Sequence, residues 1–188
     1  METMPERIDP EAIITGFYPV GSHTRSLLLR HGELVGGKAL AILDRTPWLT
    51  ADREFLIQAA MLHDIGIGRT FCPELGCHGT LPYVCHGVEG RAMLDRLGLT
   101  RHGRVCERHV GVGVSRAQIV RGQWPMPQRD MLPRSLEERL ICYADKFFSK
   151  TDNGAREKTI ADISAGLARH ETSYVDRFMV LHREFAGP

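Results

Sequence analysis

The stretch Ala59-Ala60-Met61-Leu62-His63-Asp64-Ile65-Gly66 constrains this chain more than any other. An apolar run carries an imidazole and a carboxylate into a protein interior, and a glycine ends the run. A buried carboxylate without a cation is very costly. Any fold that buries Asp64 must therefore bring it a positive partner. The same problem recurs at Asp145, embedded in Ile141-Cys142-Tyr143-Ala144-Asp145-Lys146-Phe147-Phe148. Imidazole and carboxylate are ligands for the same divalent ions, so a metal answers both aspartates at once.

The chain has 188 residues, enough for one domain with its own core. A net charge of +1 supplies no bulk basic field, so nucleic acid is not an expected partner and any phosphate recognition must be local. No apolar run approaches the ~18 residues of a membrane span. The first six residues lack a basic region followed by an apolar one, so no secretory signal is expected. With five cysteines, an odd number, reduced thiols in a cytoplasmic protein are the simplest expectation.

Apolar spacing predicts an all-α, single-domain chain in three parts: an irregular arm over residues 1–21 with at most one short helical turn after Asp9, a core over 22–150 and terminal helices over 151–188. Ser22 caps a helix running to about Arg45, in which Gly36 and Gly37 let another helix come close. Thr50 is expected to cap the next helix, from Ala51. Residues 66–85 are a long glycine- and proline-rich loop, of a length that is usually functional. Helices follow from His86, from Arg101 to Val110, and over 115–121, and a second loop covers 122–134. Ser135 and Glu138 have capping-box spacing at the head of a helix with apolar positions through Phe148. Two amphipathic helices, about 155–169 and 173–185, close the chain. No strand pair is evident.

Chemistry-capable residues with apolar flanks are His31, His63, Asp64, His86, His109 and Asp145, drawn from five helices. In that order, and with the local runs His63-Asp64-Ile65-Gly66, His86-Gly87-Val88-Glu89-Gly90, Glu107-Arg108-His109-Val110-Gly111 and Tyr143-Ala144-Asp145-Lys146, they resemble the HD superfamily of metal-dependent phosphohydrolases in its small HDIG form. The resemblance covers roughly residues 22–150.

It implies a helical bundle around two divalent ions. His31, His63, Asp64 and Asp145 would hold one, and Asp64 would bridge to a second completed by His86 and His109. Iron or manganese suits this donor mix, and magnesium, nickel, cobalt and zinc are compatible with it. The implied reaction is hydrolysis of a nucleotide or other small phosphoester by a hydroxide bridging the metals. Asp64, Lys146 and Arg108 are the expected catalytic residues, and Lys146, Lys150, Arg69 and His78 the expected phosphate contacts. Two alternatives stand beside this one. HD-type mixed-valence di-iron oxygenases acting on hydroxylated phosphonates or polyols share the ligand order, and Tyr18 is the candidate for their mobile tyrosine. A non-catalytic, metal-stabilised module binding a nucleotide or a protein is the other.

Overall fold

The computed structural model describes residues 8–151 and 156–187. Among them are nine α-helices: α1 (Pro10–Phe17), α2 (His23–Arg45), α3 (Arg53–Leu62), α4 (His86–Asp95), α5 (Thr100–His109), α6 (Arg116–Gly122), α7 (Leu136–Asp145), α8 (Ile160–Ala168) and α9 (Thr172–Phe185). Three single 3₁₀ turns, at Ile67–Arg69, Pro73–Leu75 and Tyr83–Cys85, and a hairpin of β1 (Phe71–Cys72) and β2 (Cys77–His78) complete the described elements. The fold is mainly helical. No helix is long and apolar enough to cross a membrane.

Local hydrogen bonding explains where most helices start. The Ser22 hydroxyl accepts from the Arg25 amide, and Ser115 with Gln118 and Ser135 with Glu138 form reciprocal capping boxes. Each such cap is worth about 1 kcal/mol. Four expectations are corrected. Asp52, not Thr50, caps α3, accepting from the Phe55 amide at 3.0 Å, because α3 begins at Arg53 and Asp52 stands immediately before it. The arm before Ser22 contains an eight-residue helix, since Asp9 caps it and Pro10 sits in its first turn, where no amide donor is needed. The 66–85 segment holds a hairpin in which Cys72 pairs with Cys77; its strands are too short to produce an alternating pattern. Finally, α7 ends at Asp145, short of Phe148. Expectations for residues 1–7 and 152–155 lie outside the described residues.

Helix α2 packs on α3 and α7, α5 packs on α4 and α7, α9 packs on α7, and α8 packs on α9. Helix α3 comes close to α2 at Gly32, where a Cβ would come within 2.7 Å of the Met61 Cα, and at Gly36, where it would meet the Ala60 Cβ at 3.5 Å; at Gly37 there is open space. Three apolar clusters result among the described residues: a small one of Cys85, Val110, Val114, Ile119, Met126 and Met131, and two larger ones. One gathers Val35, Ala39 and Ile42 of α2 with Leu56, Leu140, Ile141, Phe178 and Phe185. The other gathers Leu27, Leu28, Leu62, Ile65, Leu94 and Cys106 with Ile14 and Tyr18. Each fully buried Leu or Phe contributes about 1.5–3 kcal/mol. His31 lies on α2 between the segments committed to the two cores. His63 and Asp64 interrupt the α3 side of the same division.

Candidate metal centre

Six buried side chains meet at that division: His31, His63, Asp64, His86, His109 and Asp145. Four of them stand at helix ends. His63 follows the last residue of α3, His86 opens α4, His109 closes α5 and Asp145 closes α7. Gly66 permits the approach of α4, since a Cβ there would collide with the His86 carbonyl and the Gly90 amide.

The histidines are oriented from behind. Nδ1 of His63, His86 and His109 lies 2.6, 2.6 and 2.8 Å from the carbonyl oxygens of Ala60, Tyr83 and Cys106, in each case the residue three positions earlier. A carbonyl only accepts, so each Nδ1 carries the proton and each Nε2 presents a lone pair inward. His86 Nε2 and His109 Nε2 then face one another at 3.1 Å. Two lone pairs at that distance repel unless a cation lies between them.

Asp64 divides its two oxygens. Oδ2 faces one group, at 3.1 Å from His63 Nε2 and 3.4 Å from His31 Nε2. Oδ1 faces the other, at 3.2 Å from His109 Nε2 and 3.3 Å from His86 Nε2. Asp145 Oδ1 joins the first group, 2.8 Å from His31 Nε2. His31, His63, Asp64 and Asp145 can thus hold one ion, and Asp64, His86 and His109 can surround a second position. The donors fit divalent metal. Both Asp64 oxygens and His63 Nε2 are buried with no well-aligned hydrogen-bond donor, which metal coordination would satisfy.

The local charges reinforce one another. Burial alone would raise the Asp64 pKa, but His63, Lys150 and His109 hold it well below the usual carboxylate range. Asp145 is likewise held low against burial by Lys146, Lys150 and His31. For His63, burial is outweighed by the two aspartates, which raise it to about 9. His109 is pushed down to about 3 by burial, with His63 and His86 adding to the effect.

Lys146 Nζ lies 2.6 Å from Asp145 Oδ2, and Lys150 Nζ lies 2.8 Å from Asp64 Oδ2. Both line the cavities described below. Three other sequence candidates stand elsewhere. Arg108 turns outward to Glu138, with Nη1 at 2.8 Å from both carboxylate oxygens, because a helix rotates about 100° between it and His109. Arg69 and His78 are exposed on the 3₁₀ turn and the hairpin and line neither cavity. Tyr18 is committed as well. Its hydroxyl donates to the Ile65 carbonyl (2.6 Å) and accepts from the Gly68 amide (2.9 Å), which anchors the Ile65–Gly68 turn to the segment after α1.

Two cavities open from the cluster and share Tyr83, Asp145, Lys146, Lys150, Leu167 and His170. One, of about 800 Å³, runs past Val84 and Val110 to Trp124 and Tyr174. The other, of about 750 Å³, runs past Phe148 toward Lys158 and Arg169. Tyr83 is the functional residue that sequence reasoning missed. Its ring centroid lies 4.6 Å from that of His86, and its carbonyl fixes the His86 tautomer. The only sequence signal for it is its position three residues before a candidate ligand histidine. Helix α8 and the turn after it edge both cavities through Leu167 and His170.

No family model matches the chain, and no solved structure matches it. An uncharacterized protein of Methanocaldococcus jannaschii is 28% identical over 146 residues, which span 77% of this chain and 78% of that protein. A Picrophilus torridus protein named tRNA (cytidine(56)-2'-O)-methyltransferase is 27% identical over 162 residues, spanning 86% of this chain but 42% of that protein.

Proposed function

We propose that this chain is a metal-dependent phosphohydrolase of the HD type, acting on a small phosphorylated compound with two divalent ions, iron or manganese. The observation that carries the reading is the division of Asp64, whose two oxygens face separate ligand groups as a bridging carboxylate would. Such an ion pair, when bound, supplies a nucleophile from water at neutral pH and neutralises charge on phosphoryl oxygens. The chain's own residues do the rest. The i−3 carbonyls fix three imidazole rings with Nε2 turned toward the centre. Lys146 and Lys150, which line both cavities, donate hydrogen bonds to the phosphoryl oxygens and set the phosphorus over the cluster. The apolar packing of Leu62 and Ile65 behind Asp64 keeps bulk water from competing for the ligands.

The oxygenase alternative is disfavoured by Tyr18, whose phenol is hydrogen-bonded twice to backbone and pushed up to about 12, chiefly by burial. The activity named for the Picrophilus protein belongs to a chain of which this one matches 42%, and methyl transfer needs no nest of four imidazoles and two carboxylates.

The test is metal content by mass spectrometry on anaerobically purified protein, followed by phosphate release from a panel of phosphoesters and oxygen uptake by the ferrous form. Two ions per chain, their loss in Asp64→Ala, and phosphate release without oxygen uptake are expected. Oxygen consumption coupled to substrate would replace the reading with oxidation. Protein that takes up no metal would leave a helical binding module.

A further inference from the structure

The two cavities that meet at the cluster differ in charge, and the difference lies in which cations remain after pairing. In the larger one Arg121 is spent on Glu171 at 2.8 Å, and the outer wall is Trp124 and Tyr174. In the smaller one Arg156 is spent on Asp162 at 2.8 Å, while Lys158 and Arg169 have no acidic partner among the described residues. A backbone hydrogen bond holds the Lys158 segment in place. The Lys158 amide donates to the Phe147 carbonyl at 2.8 Å. The Arg169 guanidinium reaches back along α8 to Gly166, approaching within 3.6 Å of where a Cβ would stand. Lys146 and Lys150 form the inner end of this row of cations, beside Asp145 and Asp64.

Resting on the phosphohydrolase reading, we infer that the substrate's reacting phosphorus carries two arms. An aromatic organic arm lies in the larger cavity toward Trp124, and a second phosphoryl group lies in the smaller one on Lys158 and Arg169. The substrate class is therefore an organic diphosphate, R–O–PO₂–O–PO₃, with its ester phosphorus at the junction. Water's oxygen bonds to that phosphorus and the bond to the bridging oxygen breaks. The electron pair departs with the terminal phosphate. The products at neutral pH are R–OPO₃, hydrogen phosphate and one proton.

Calorimetric titration of the metal-loaded protein with inorganic phosphate and with methylenediphosphonate tests this, in wild type and in the double variant Lys158→Ala, Arg169→Ala. A diphosphonate chelates metal by itself, so the informative quantity is what the variant changes. The double variant is expected to bind methylenediphosphonate about tenfold more weakly, two screened cation contacts being worth about that much together, while its phosphate affinity stays within about twofold of wild type. Arg121→Ala, a charge removed from the other cavity, is expected to change neither. Unchanged diphosphonate binding in the double variant, or an equal loss for both probes, would overturn the two-armed substrate while leaving the phosphohydrolase reading standing. Binding of neither probe to loaded wild type would overturn both.

Discussion

At the scale of single residues, direction matters more than presence. Arg108 and His109 are neighbours, yet one side chain enters the cluster and the other forms a bidentate pair with Glu138, which also accepts from the Arg134 amide at 2.6 Å. Arg108 is thus a strut between α5 and the head of α7. Replacing it with alanine leaves a half-satisfied, largely buried carboxylate. We expect Arg108→Ala to lower unfolding free energy by about 1–3 kcal/mol, measured by urea denaturation, with the metal content of the folded protein unchanged. Loss of metal from correctly folded Arg108→Ala would return the residue to the site.

At the scale of elements, the cluster exists because helix ends converge, and Gly66 governs how closely. Its missing side chain lets the turn after α3 lie against the start of α4, so that Asp64 Oδ1 comes within 3.3 Å of His86 Nε2. Gly66→Ala forces α4 outward. Under the proposed function the expected result is loss of one ion per chain by mass spectrometry, the one that His86 and His109 would hold, with the helical circular dichroism retained. Two ions in a folded Gly66→Ala protein would show that α4 adjusts.

The same elements show what the sequence discloses and what it withholds. Ser22, Ser115 and Ser135 are local devices, satisfied by amides three residues away, and their helices start where the sequence places them. The buried aspartates were legible because an apolar run around a carboxylate is a physical contradiction that needs a cation. Thr50 and Asp52 are both competent caps, and nothing local chooses between them. Tyr83 stayed hidden because its importance arises from ring contact with His86 inside a 3₁₀ turn. The amphipathic pattern of α8 and α9 identified their apolar side, with Phe178 and Phe185 buried as expected, but not that Leu167 and His170 would edge two cavities.

At the scale of the whole molecule, buried titratable groups outside the cluster tie stability to pH. His102 packs on Phe55, with ring centroids 4.7 Å apart, and burial, aided by Arg101, lowers its pKa to about 4. An unfolded histidine titrates near 6.5. Between about 6.5 and 4 the unfolded chain binds the extra proton, so stability falls as pH falls through that window and is unaffected by this group above it. Thermal unfolding of wild type and His102→Phe from pH 8 to pH 4 checks the sign. The drop in Tm below pH 6.5 should be shallower in the variant, and parallel curves would remove His102 as a contributor.

The Lys150 ammonium, 2.8 Å from Asp64 Oδ2, has a consequence for how the molecule is assembled. An unpaired buried carboxylate would strain the chain at birth, but a tethered cation already answers part of that charge. Under the proposed function the polypeptide would mature first and be metallated afterwards. Loading the centre would then be an ion exchange, the incoming ion displacing an ammonium that cannot diffuse away. The released ammonium would stay beside both cavities, where an arriving anion would meet it. Under the proposed function, acquiring the cofactor and arming the site for phosphate would be a single event.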